Sequence, residues 1–112
     1  MSSEENYFYK SANEKFDVED YQGAIEYSSK AIELNPKDEK SWCLRGRAKN
    51  RLDNYQDAID DLTKAIELDP EYERAWGIRG NAKAFLGDSK FHLKDYQGAS
   101  EDFQGAIQDS SK

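Results

Sequence analysis

Asp20-Tyr21-Gln22-Gly23-Ala24-Ile25-Glu26 returns as Asn54-Tyr55-Gln56-Asp57-Ala58-Ile59-Asp60, and again as Asp95-Tyr96-Gln97-Gly98-Ala99-Ser100-Glu101. The first match continues through Lys30-Ala31-Ile32-Glu33-Leu34-Asn35-Pro36 and Lys64-Ala65-Ile66-Glu67-Leu68-Asp69-Pro70. Between residues 20–36 and 54–70, 10 of 17 positions are identical at an offset of 34. Self-similarity of that degree marks a structural repeat.

The repeated residues have physical work to do. Pro36 and Pro70 cannot sit inside a helix and bias the residue before them away from it, so they separate the units. Small residues recur where helices must touch: Ala12, Gly46 and Gly80 in the first helices, Ala24, Ala58 and Ala99 in the second. Ala31, Ala65 and Ala106 make a further small column seven residues on. Tyr21, Tyr55 and Tyr96 fall at the turn, and Phe8, Trp42 and Trp76 open each first helix as its apolar anchor.

This spacing resembles the tetratricopeptide repeat family, whose 34-residue unit carries an aromatic, a small residue, a tyrosine, two alanines and a proline in that order. Residues 39–72 fit almost throughout, with Trp42, Gly46, Tyr55, Ala58, Ala65 and Pro70. Residues 5–38 substitute Phe8 and Ala12 but keep Tyr21, Ala24, Ala31 and Pro36. The resemblance implies one all-α domain over residues 1–112, a right-handed superhelical solenoid of three helix-turn-helix units at 5–38, 39–72 and 73–112. It further implies a protein-interaction module, not an enzyme.

The third unit breaks the period. Tyr21 to Tyr55 is 34 residues, whereas Tyr55 to Tyr96 is 41, so seven extra residues fall near 87–94. Seven residues are nearly two helical turns, which lengthens a helix while keeping its buried face in phase. Ala82, Leu86, Ser89, Leu93 and Tyr96 follow that spacing, so a longer first helix is expected. The rival is a loop from Gly87-Asp88, since glycine inside a helix costs about 1 kcal/mol relative to alanine.

Of 112 residues, 35% are charged and 37% hydrophobic, with two prolines, which suits a small helical fold. No apolar run approaches the ~20 residues that span a bilayer, and Met1 to Asn6 lacks a signal-peptide layout. A cytoplasmic protein is expected. The net charge of −7 disfavours nucleic acid or membrane as the main partner. Single Cys43 makes neither an internal disulfide nor a metal-ligand pair.

Charge is segregated by helix. Residues 39–52 carry Lys40, Arg45, Arg47, Lys49 and Arg51 against Glu39, a net of +4, while residues 53–69 come to −5. Residues 73–94 come to +3 and 95–112 to −3. In the family the first helices line the concave side, which makes that side basic here. Its inner columns fall on Asn6, Lys40 and Arg74; on Tyr9, Cys43 and Gly77; on Asn13, Arg47 and Asn81; and on Asp17, Arg51 and Phe85. Cationic and amide donors suit carboxylates and peptide carbonyls. The expected ligand is a protein or peptide segment, acidic with apolar residues, contacted by Tyr9, Asn13, Lys40, Leu44, Arg47, Arg51, Arg74 and Asn81. The alternative is that basic first helices merely complement acidic second helices within the fold.

Chaperone-binding members hold a terminal carboxylate with a clamp of Lys, Asn, Asn, Lys and Arg. Carried over, those positions are Tyr9, Asn13, Leu44, Arg74 and Ile78, of which Asn13 matches and Arg74 matches in charge. Recognition of the major chaperones' acidic tails is therefore not the first expectation.

Other candidates read as structural. His92 lacks a titratable partner, and Cys43 has no base in its segment and is expected to pack beside Trp42. Asp57, Asp60 and Asp61 lack the loop of a calcium site and are read as a solvated convex face. No cofactor is expected. Phe103 and Ile107 could leave an apolar strip on the last helix, so self-assembly through the terminal helices, as a homodimer, is the rival function.

Overall fold

The computed structural model describes the backbone of residues 2–92 and side chains as far as Gly87. The expectations for Tyr96, Ala99, Phe103, Ala106 and Ile107, and for the side chain of His92, lie outside the described residues. Within them the elements are α1 (Ser3–Asp17), α2 (Tyr21–Leu34), α3 (Glu39–Arg51), α4 (Tyr55–Leu68) and α5 (Glu73–His92), with no strand.

Local chemistry sets where these helices begin and end. The Ser2 hydroxyl accepts from the Glu5 amide at 3.1 Å and the Glu5 carboxylate accepts from the Ser2 amide at 3.3 Å, a reciprocal cap on α1. Asp20 caps α2 by accepting from the Gly23 amide at 3.0 Å, and Asp38 caps α3 through the Lys40 amide at 3.2 Å. Helices α1 and α3 both end in a left-handed residue, Glu19 at φ 64° and Asp53 at φ 63°. The next amides then bond back, Asp20 to the Lys15 carbonyl at 2.8 Å and Asn54 to the Lys49 carbonyl at 2.9 Å. Glycine is the usual residue there, and an acidic one costs about 1 kcal/mol in backbone strain.

Consecutive helices pack together, and α3 also touches both α1 and α5. Among the described residues α2 and α4 do not touch. Contact between first helices and separation of second helices bends the stack so that α1, α3 and α5 line its inner side. Every small column predicted for these units is used: Ala12, Ala24, Ala31, Ala58 and Ala65 are buried. A Cβ on Gly46 would stand 2.8 Å from Leu62 Cγ, so only glycine lets α3 approach α4 this closely.

The junctions between units repeat as well. The Trp42 indole N–H donates to the Pro36 carbonyl at 2.8 Å, and that of Trp76 donates to the Pro70 carbonyl at 2.8 Å. Both rings are half-buried, so these anchors act by fixing the proline turn more than by filling the core. Arg45 donates to the Ser29 hydroxyl and Arg79 to that of Thr63, each at 3.1 Å, again 34 residues apart. Helix α5 runs 20 residues against 13 in α3 and passes through a buried Gly87. The longer first helix is therefore observed as far as His92, and the loop at Gly87-Asp88 is not.

Candidate functional site

Helix α3 sorts its basic side chains onto two faces. Arg45 donates to both carboxylate oxygens of Asp61 on α4 at 2.9 Å, and the Lys49 ammonium lies 3.0 Å from the same carboxylate. Asp61 is only 4% exposed, which corrects its reading as part of a solvated acidic face; Asp57 and Asp60 are exposed as expected. A bidentate guanidinium and a second cation satisfy a carboxylate that has almost no water. Internal complementarity thus accounts for Arg45 and Lys49.

It does not account for the others. Lys40, Arg47 and Arg51, at helical spacing i, i+7 and i+11, face the inner side, as does Arg74 from α5. Among the described residues none of these four forms an ion pair with a carboxylate. The Arg47 guanidinium lies 4.1 Å from the Phe16 ring centroid, and that of Arg51 lies 5.4 Å from Phe16 and 5.9 Å from Tyr21. Arg51 also donates to the Tyr21 hydroxyl at 3.2 Å. Stacking on a ring holds a guanidinium in place without neutralising it.

Two adjoining hollows gather the expected contact residues. One is lined by Tyr9, Asn13, Lys40, Cys43, Leu44, Arg47, Tyr72 and Arg74. The next is lined by Arg47, Asn50, Arg51, Gly77, Ile78 and Asn81, with Arg47 shared between them. All eight expected residues therefore line one continuous inner surface. Leu44 differs from the expectation in kind: it is 4% exposed and packs with Ala12, Phe16, Ala24 and Ala48. As the middle helix, α3 is covered from both sides, so its apolar stripe is broad and Leu44 belongs to the core as the floor of the hollow.

The polar groups here are partly engaged. The Asn13 amide donates to the Tyr9 carbonyl at 3.2 Å, and its oxygen accepts from no donor among the described residues. The Asn50 amide donates to Asn81 Oδ1 at 3.2 Å, tying α3 to α5, while Asn50 Oδ1 has no donor among the described residues. Cys43 is 2% exposed in the core that includes Trp42. Burial pushes its thiol up, against the opposing pull of a hydrogen bond donated by Tyr72 and of the nearby charges of Arg74 and Arg47. Burial likewise pushes the Tyr72 phenol up. Both groups stay neutral near pH 7 and neither is a reactive nucleophile.

Sequence reasoning missed Phe16, Tyr72 and Asn50. Phe16 was within reach, because Tyr9, Asn13 and Phe16 follow helical spacing along the inner face of α1. Tyr72 precedes α5 and belongs to no repeated column, so it gave no signal.

A family model described as Tetratricopeptide repeat matches residues 39–72, and a second of the same description matches residues 6–38. A search of curated proteins found no match. Among solved structures, the second TPR of Spaghetti (RPAP3) bound to HSP90 peptide SRMEEVD is 26% identical, with TM-score 0.74, covering 95% of this chain and 92% of that one. The second TPR domain of the human RPAP3 protein, in complex with HSP70 peptide SGPTIEEVD, is 25% identical with TM-score 0.73, covering 96% of this chain and 92% of that one. The TPR2B-domain:pHsp70 complex of yeast Sti1 is 25% identical with TM-score 0.71, covering 98% of this chain and 82% of that one. No helix among the described residues is long and apolar enough to cross a membrane.

Proposed function

Because the chain belongs to the tetratricopeptide repeat family, we propose that it is a protein-interaction module binding an acidic peptide segment with apolar residues along its inner face. The observation that carries this reading is the division of charge on α3. Asp61 neutralises Arg45 and Lys49, whereas Lys40, Arg47 and Arg74 meet around one hollow with no carboxylate among the described residues. Cations gathered on an inner surface attract a carboxylate ligand, and Arg47, already stacked on Phe16, loses little freedom when it arrives.

Relatives support the ligand class. The peptides held by the similar domains, SRMEEVD and SGPTIEEVD, combine acidic and apolar side chains. The donor set differs here, because Leu44 is buried core and Ile78 has no polar group. Lys40 and Arg47, with Asn13 and Arg74, are the contacts we assign in their place. Charged groups steer the encounter, and the apolar residues of the ligand supply affinity on desolvation.

The test is an array of acidic peptides, both C-terminal and internal, that includes SRMEEVD and SGPTIEEVD. It is probed with the wild-type protein and with an Arg47→Glu, Arg74→Glu double variant whose fold is checked by circular dichroism. Losing two charge-assisted contacts of about 1.5–3 kcal/mol each predicts a loss of about 100-fold or more. Equal binding by a folded double variant would refute the assignment.

A further inference from the structure

The turn that leads into α5 is the turn that leads into α3, 34 residues on. The Asp38 amide donates to the Asn35 carbonyl at 3.3 Å, and the Tyr72 amide to that of Asp69 at 3.1 Å. The Asn35 and Asp69 side chains accept from the Lys37 and Glu71 amides at 3.2 and 3.1 Å. The backbone is repeated, but the residue at the helix start is not. Asp38 accepts from the Lys40 amide at 3.2 Å and from the Ser41 hydroxyl at 2.8 Å, whereas α5 has Tyr72 and Ala75 at those places. Aspartate is among the preferred residues at a helix start, and tyrosine does not replace it, because its one side-chain oxygen lies at the far end of the ring. Helix α5 forgoes a cap that α3 has.

The ring goes instead to the inner site. It is half-buried, packs against the core that contains Cys43, and lines the hollow shared by Lys40, Arg47 and Arg74. Its hydroxyl donates to the Cys43 thiol, a weak acceptor. Burial keeps the phenol protonated, so it remains a donor at neutral pH. An aspartate at this place, two residues from Arg74, would bring a carboxylate to a hollow whose three cations pair with none among the described residues. Tyrosine in the place of aspartate withholds a competing anion and supplies a neutral donor.

We propose that Tyr72 is a specificity-determining residue of the inner site, whose hydroxyl turns on binding from the Cys43 thiol to a carboxylate of the peptide. That carboxylate is the one drawn into the hollow by Lys40, Arg47 and Arg74. A hydrogen bond to sulfur gives way to a shorter, charge-assisted one to oxygen, so the hydroxyl favours a carboxylate over the corresponding amide. This rests on the reading that the inner face binds an acidic peptide.

The experiment uses the acidic peptide of the array that binds the wild-type protein most tightly, labelled with fluorescein. Copies in which each Asp or Glu is changed in turn to Asn or Gln, and one with an amidated C-terminus, are titrated beside it. The protein variants are Tyr72→Phe, which keeps the ring and its packing, and Tyr72→Asp, which restores the aspartate of unit one; the fold of each is checked by circular dichroism. Tyr72→Phe is expected to bind the parent peptide tenfold or more weakly than the wild type. That deficit should vanish against one copy, the one lacking the carboxylate that the hydroxyl meets, because the two changes act on one contact. Tyr72→Asp should bind more weakly still, since its own carboxylate competes for the cations. Wild-type affinity in either folded variant would overturn the proposal. So would a Tyr72→Phe deficit equal for every copy, which is what a packing role alone produces. If charge reversal at Arg47 and Arg74 abolishes binding while Tyr72→Phe leaves it unchanged, the acidic-groove reading stands and the role of Tyr72 falls. If the wild-type protein binds no acidic peptide, both fall.

Discussion

Asp61 accepts from Arg45 through both oxygens and sits 3.0 Å from Lys49 with its side chain 5% exposed. Replacing it by asparagine strands two cations in a site that water scarcely reaches. Breaking a buried pair costs about 3–5 kcal/mol, and partial exposure of the cations reduces this, so Asp61→Asn should lose about 2–4 kcal/mol in urea denaturation. Gly46 gives a second expectation at this scale. Alanine there is the better helix former, yet its Cβ would meet Leu62 Cγ at 2.8 Å and the Ala58 carbonyl oxygen at 3.2 Å. Overpacking wins, and Gly46→Ala should cost about 1–3 kcal/mol in urea denaturation. These positions were not equally legible in the sequence. Gly46 stands in a column with Ala12 and Gly80, so its smallness was visible. Asp61 has Tyr27 at the matching place in unit one, so no column set it apart from Asp57 and Asp60. Leu44 matches Lys10 in the same way, and only the crowding of the middle helix makes it core.

At the scale of elements, helix ends followed the local chemistry closely. Prolines 36 and 70 separate the units, and acidic or hydroxyl residues cap α1, α2 and α3. Unit one has Ser2 where the later units have proline, and there the reciprocal cap with Glu5 takes over. The Ser2 amide holds the Glu5 carboxyl below its ordinary range, assisted by the Asn35 side chain, which donates to it at 3.1 Å. A lowered folded pKa means the contribution is complete above the unfolded value and disappears as pH falls through the folded one. Protection of the amides at the start of α1, taken relative to their intrinsic exchange rate at each pH, should therefore fall as pH drops below the ordinary carboxylate range. Glu5→Ala should show the lower protection at neutral pH already. Protection in α1 indifferent to both would remove the cap from the account. Extra helix was legible in the sequence because the apolar spacing stays in phase, and α5 continues through Gly87 to His92, as far as the described residues reach. The left-handed ends at Glu19 and Asp53 were not legible, since neither is glycine or asparagine.

At the scale of the molecule, an acidic chain presents cations along the inner side of α3 and at Arg74, because in unit two the carboxylates fall mainly on α4 and the basic residues on α3, whereas α1 carries four carboxylates against two lysines. The repeat period fixes which columns turn inward, and that much could be read from residues 20–70 alone. It could not divide the cations of α3 into those spent on Asp61 and those left for a ligand. That division depends on a single buried carboxylate on the neighbouring helix. The most direct measurement is a 15N chemical-shift titration of the protein with the tightest-binding acidic peptide of the array. The account predicts shifts concentrated at Tyr9, Asn13, Lys40, Arg47, Arg51, Arg74, Gly77 and Asn81, with α2 and α4 nearly still. Shifts concentrated on the outer faces of α2 and α4, with Arg47 and Arg74 unmoved, would contradict it.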